Sequence, residues 1–161
     1  MPQNLELVYA QDIQQWRDWL AVNHQTSPGV WLVYYKVKSG KPSIRYPDAV
    51  KQALCFGWID SKVNTIDSES YKQVFTPRRP KSVWSKLNKQ YIEELVAAGL
   101  IINAAGWAKI QTAQADGSWT SLDAVEALVV PDDLQRALTA DPQADRYWQS
   151  LRPGKRKVFL Q

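Results

Sequence analysis

The sequence predicts an α+β fold: a small, mainly antiparallel sheet with a β-hairpin, followed by an all-helical C-terminal half packed on it. Three observations lead there. Residues 30–35 form a β-branched and aromatic run that is apolar on both faces. Residues 58–65 and 71–76 alternate and are joined by a short polar turn. Beyond Pro80 the apolar residues recur only at helical spacing. Elements segregated in this way belong to α+β proteins rather than to alternating βαβ folds.

In chain order, residues 10–22 read as a helix, with Ile13, Trp16, Trp19 and Leu20 on one stripe. Ser27-Pro28-Gly29 is a turn, and residues 30–35 are a strand in a sheet interior. Residues 38–42 are a basic loop. Pro47 and Asp48 suit the first turn of a helix that Val50, Ala53 and Leu54 continue and Gly57 ends. The hairpin follows, with Ile59 and Val63 expected on one face and Trp58, Asp60 and Lys62 on the other. Proline offers no ladder donor, so Pro77 and Pro80 stop the second strand. Ser82 is the expected cap of the next helix, which carries Trp84, Leu87, Tyr91 and Leu95 and stops near Gly99. A helix over 103–115 is closed by Asp116-Gly117. Two short helices come after Asp132, the second capped by Asp141 with Pro142 in its first position.

The length, 161 residues, fits a single domain over 1–161, with an α/β part at 1–80 and a helical part at 81–161. No run approaches the ~20 apolar residues of a membrane span, and the first fifteen residues lack the basic and apolar regions of a secretory signal. A cytoplasmic location is the expectation. One cysteine, Cys55, excludes an internal disulfide. One histidine, His24, leaves no Cys/His set for zinc, and no cofactor-binding or nucleophile motif is present. Charge is uneven. Residues 36–91 carry twelve Lys or Arg against four acids, whereas residues 92–148 carry three against nine. Such polarity suits an anionic partner; equally, the two sections can neutralise each other across the fold.

Two long motifs carry a family resemblance. The stretch 53–63, Ala-Leu-Cys-Phe-Gly-Trp-Ile-Asp-Ser-Lys-Val, and the stretch 75–88, from Phe75-Thr76-Pro77-Arg78-Arg79-Pro80 to Leu87-Asn88, resemble the bacterial YdeI/OmpD-associated, or bacteriocin-protection, family. Gly29-Val30-Trp31-Leu32, residues 115–119 and residues 130–134 support it, so the resemblance runs over nearly the whole chain. Members of that family continue past the equivalent of Lys155-Arg156-Lys157 into a basic helix; this sequence stops at Gln161. The resemblance implies a stress or antimicrobial-defence setting. It brings no catalytic residues to carry over.

The physical case for a site centres on residues 77–85. Arg78, Arg79 and Lys81 stand just before an expected helix N-terminus, whose free N–H groups attract anions. Arginine adds planar donors for phosphate or carboxylate, and Ser82 and Ser85 supply hydroxyls. Trp58 and Asp60 should share a strand face, with Asp60 placed to orient Arg78; Trp84 reads first as core and second as a site wall. The competing reading is structural: the arginines pair with Asp60 or with later acids, and Ser82 is only a cap.

The leading function is therefore a non-catalytic domain that binds an anionic small molecule or an acidic partner surface, with no cofactor. A second reading is a nucleic-acid binder that uses Lys36, Lys38, Lys41, Arg78, Arg79 and Lys81 on phosphates. A third is an enzyme with a site around Asp60, Ser61 and Arg78.

Overall fold

A computed structural model describes residues 4–100 and 103–161. Four strands form one sheet in the order β1-β2-β4-β3: β1 (Glu6–Tyr9), β2 (Val30–Tyr35), β3 (Trp58–Thr65) and β4 (Ser70–Pro77). β4 runs antiparallel to both β2 and β3, so the hairpin is as expected. β1 is parallel to β2 and escapes the sequence reading. It has only four residues, and its neighbour is reached through a helix, so neither length nor a turn signal marks it.

That connecting helix is α1 (Ile13–Asn23), capped by the Asp12 carboxylate on the Gln15 N–H. With α2 (Tyr46–Cys55) it covers one face of the sheet. Trp16 and Leu20 from α1 meet Ala49, Val50, Ala53 and Leu54 from α2 over Val30, Leu32, Tyr34 and Phe75. Ile13, expected on this stripe, is 43% exposed, because the helix begins there. Buried indole N–H groups find carbonyls: Trp16 donates to Ala49 at 3.0 Å and Trp58 to His24 at 3.1 Å.

β3 departs from simple alternation. Asp60 pairs with Phe75, but Val63 pairs with Gln73, so β3 spends one extra residue between these pairs. Such a bulge moves all later side chains to the other face. Val63 therefore shares the face of Asp60 and Gln73, not that of Ile59 as its spacing predicts.

The helical half contains α3 (Lys86–Ala97), α4 (Ala104–Asp116), the single turn α5 (Asp123–Glu126), α6 (Asp132–Ala140), α7 (Pro142–Ser150) and α8 (Pro153–Leu160). α5 and α8 are additions to the expected set. α3 and α4 both pack on α2, so the helical half reaches the sheet chiefly through that helix. Ser85, not Ser82, caps α3, accepting from the Asn88 N–H at 3.2 Å. Trp84 precedes the helix, Leu87 is 44% exposed, and Tyr91, Ile92 and Leu95 make the buried stripe. The start is displaced because residues 78–84 wrap around the Arg78 side chain before the chain turns helical.

Two glycines set the seam between the halves. A Cβ on Gly106 of α4 would lie 2.3 Å from the Cys55 carbonyl oxygen and 2.8 Å from that of Leu54. Gly57 follows α2 at φ +74, where a Cβ would meet the Ala105 carbonyl oxygen at 2.9 Å. At Gly106 the obstacles are backbone, which cannot swing aside; at Gly57 Lys109 Cγ stands at 2.8 Å as well. Gly106→Ala should lower the unfolding free energy by about 1–3 kcal/mol, the range of overpacked sites. Urea titration of that variant beside Gly154→Ala, where a Cβ meets nothing within 4 Å, checks it; equal losses would refute the close approach.

Candidate anion site

Arg78 follows the last residue of β4, and its N–H bonds the Gly57 carbonyl at 2.9 Å. This links the end of the hairpin to the end of α2. The side chain is 3% exposed. Its Nη2 donates to the Val83 carbonyl at 2.6 Å, and its guanidinium lies 3.7 Å above the centre of the Trp84 ring. Trp84 is fully buried and tilts against Trp119 at 4.9 Å. Core packing is thus the role of Trp84, and its ring is also the floor under Arg78.

Among the described residues no carboxylate completes the arrangement. Neither Arg78 nor Arg79 forms an ion pair with a described residue. Asp60, expected to orient Arg78, instead accepts from the Tyr46 hydroxyl at 3.0 Å and from the Gln73 amide at 2.8 Å. It contributes only a longer-range attraction to Arg78. Nε and Nη1 of Arg78 are buried with no hydrogen-bond partner. Burial lowers the Arg78 pKa to about 10, with the Asp60 charge opposing the shift. The group remains a cation at neutral pH.

Beside it is a hollow of about 160 Å³. Arg78, Arg79, Lys81 and Ser82 line it from the loop, with Trp84 behind. The far wall is a stripe of α4, made of Lys109, Thr112, Ala113 and Asp116, with Ser118 next to it. The Asp116 carboxyl is held below its usual range, first by the Ser118 hydroxyl and then by the Ser118 and Lys81 backbone N–H groups. Four cations thus face one acid, which Ser118 and the Lys81 backbone already engage. Lys81 takes φ +58, a left-handed conformation uncommon for a side chain of this size.

The structure brings together Arg78, Arg79, Lys81, Ser82 and Trp84 from the sequence-predicted set. It leaves out Ser85, used as the cap of α3, and Trp58, which is buried edge-on to Trp19 at 5.8 Å. Asp60 faces the helices, whereas Ser61 lines a separate hollow of about 450 Å³ on the opposite side of the sheet with Ile59 and Thr76. Asp60, Ser61 and Arg78 therefore do not converge. The α3 N-terminus does not line the Arg78 hollow either, so the donors come from side chains and not from a helix start. Lys109, Thr112, Ala113 and Asp116 were missed as a wall, although their i, i+3, i+4, i+7 spacing marks one helix face.

Residues 8–109 match the family described as Domain of unknown function (DUF8412). The chain belongs to that family. Residues 127–161 match the family described as Bacteriocin-protection, YdeI or OmpD-Associated. The resemblance to the latter is thus met over the C-terminal portion, while the motifs at 53–63 and 75–88 fall inside the DUF8412 region. Nothing matches among curated proteins or solved structures. In this DUF8412 member the loop and Lys109 of the α4 wall belong to the first matched region, Thr112, Ala113 and Asp116 lie beyond it, and α6, α7 and α8 belong to the second. No helix among the described residues is long and apolar enough to cross a membrane.

The Asp60 contacts give a measurable consequence. The Tyr46 pKa is pushed up to about 12, first by burial and then by the Asp60 charge and hydrogen bond. The shift is upward, so the stability from Tyr46 is complete below pH ~10 and is lost as pH rises through the folded value. Asp60→Asn should move the Tyr46 titration down toward pH 10 without reaching it, since burial remains. Ultraviolet difference titration reads this, with Tyr46→Phe assigning the signal. An unchanged curve would detach Asp60 from Tyr46.

Proposed function

We propose that this chain is a non-catalytic domain that binds an anionic small molecule, with a phosphate, sulfate or carboxylate group seated against Arg78. One observation carries the reading: an arginine only 3% exposed, without a carboxylate partner among the described residues and with two guanidinium nitrogens lacking hydrogen-bond partners, stands at a hollow ringed by further cations. Burying a charge is costly unless it is paired and hydrogen-bonded. An oxyanion supplies both the charge and the acceptors. A small ligand suits the recessed donor better than a flat acidic protein surface, which cannot reach it. The match of residues 127–161 supports a bacteriocin-protection setting for this binding.

The test is thermal unfolding against phosphate, sulfate, small carboxylates and nucleotides. A ligand at a hundred times its Kd adds about 2.7 kcal/mol, so Tm should rise roughly 5–10 °C for a domain of this size. Arg78→Met separates binding from architecture. It keeps an apolar stem of similar length and removes an unpaired buried charge at the loss of the ring contact and the Val83 hydrogen bond, so the unliganded variant should lose little stability and the anion response should vanish. No Tm response from any anion, or a collapse of the unliganded variant by 3–5 kcal/mol, would make Arg78 a structural residue.

A further inference from the structure

The second face of the sheet is distinct from the Arg78 hollow. In β2, Val30, Leu32 and Tyr34 are buried under the helices, while Trp31, Val33 and Tyr35 stay partly exposed on the other side. Cross-strand register adds Leu7 and Tyr9 from β1, which are 58% and 40% exposed, and Lys72 from β4. Solvated faces of antiparallel sheets are ordinarily polar. This one carries rings on adjacent strands.

Cations accompany the rings. Lys72 Nζ lies 4.6 Å from the Trp31 ring centre, and Lys41 Nζ lies 4.7 Å from that of Tyr35. Tyr9 stands edge-on to Tyr35 at 5.1 Å, fixed by its hydroxyl on the Pro42 carbonyl. Glu69 pairs with Lys41, so that cation is shared. The other basic residues divide between the two ends of the sheet. Lys36 follows β2, while Arg79 follows β4 near the start of β2. At ~3.3 Å per residue the six-residue strand separates these ends by about 20 Å. The sequence reading placed six cations on phosphates as one set. The fold separates them and puts the aromatic rings between them.

From this face we infer that the chain binds single-stranded nucleic acid, with bases stacked on Trp31, Tyr35 and Tyr9 and phosphates held by Lys72, Lys41 and the cations at the sheet ends. Every base has a face to stack, and every phosphate a charge to neutralise, so the combination recognises a strand without reading its sequence. The lysine heads now above Trp31 and Tyr35 occupy the positions that bases would take, and their flexible stems let them move to the phosphates.

Fluorescence anisotropy with labelled dT20 and rU20 at 50 mM salt tests this. Both strands, or the preferred one, should bind, and a matching 20-mer duplex and inorganic polyphosphate should compete at least tenfold more weakly. Trp31→Ala and Tyr9→Ala should each weaken binding about tenfold, Trp31→Phe should restore most of it, and Lys155→Ala on α8 should leave it unchanged. Tyr9 is exposed, so its variant decides the matter if Trp31→Ala fails to fold by circular dichroism. Three results would overturn the proposal: no anisotropy change with either strand, polyphosphate or duplex competing equally, or wild-type affinity in the folded ring variants. A preference between dT20 and rU20 identifies the natural class of strand.

Discussion

The contact on which the arrangement depends is the approach of α4 to the end of α2. Gly106 sits against the carbonyl oxygens of Leu54 and Cys55 with no room for a methyl group. Gly57, two residues after Cys55, is crowded by the Ala105 carbonyl oxygen at 2.9 Å and turns the chain in a left-handed conformation. The Gly57 carbonyl then receives the Arg78 N–H. One seam thereby fixes three things: the docking of the helical half, the exit of the hairpin, and the spacing between the Arg78 loop and the polar stripe of α4. A hollow between loop and helix exists because backbone, not flexible side chains, sets the distance.

The charge pattern resolves unevenly across this seam. The acidic helical half does neutralise part of the basic middle: Glu94 pairs with Lys51, and Asp123 with Lys89. Those pairs lie along α2, α3 and α5. They do not extend to residues 78–81, where the chain wraps a guanidinium around a carbonyl and an indole ring instead. A ring face and one carbonyl compensate a buried cation only in part, which the lowered Arg78 pKa registers. Lys81 meanwhile holds a costly backbone conformation in the same loop. A loop with both an incompletely satisfied charge and an unfavourable dihedral is not at its stability optimum, and sites that bind are built in this way.

Local signals made much of this fold legible. β2, the hairpin and α2 follow from β-branched runs, a polar turn, a proline start and a glycine stop. α4, α6 and α7 follow from caps and spacing. The failures have physical causes. β1 draws its stability from a parallel neighbour that no local pattern announces. The bulge in β3 inverts Val63 without any glycine to mark it. Ser82 and Ser85 are equivalent caps until Trp84 is drawn beneath Arg78, which only tertiary structure decides. The basic loop was visible as a site candidate, whereas its opposite wall, a polar stripe on α4, had no chemistry of its own to single it out.

The tryptophans show how one composition serves two surfaces. Trp16, Trp58 and Trp84 are fully buried, and each satisfies a further demand: the first two place an N–H on a carbonyl, and the third supports a cation. Trp31 also meets a cation, Lys72, but its ring is partly solvated. Arg79 and Ser82 line both the Arg78 hollow and the larger hollow beside Ile59 and Thr76. Arg79 forms no ion pair with a described residue that would hold it to either side. Its guanidinium is therefore placed at the junction of two hollows, one on each side of the loop.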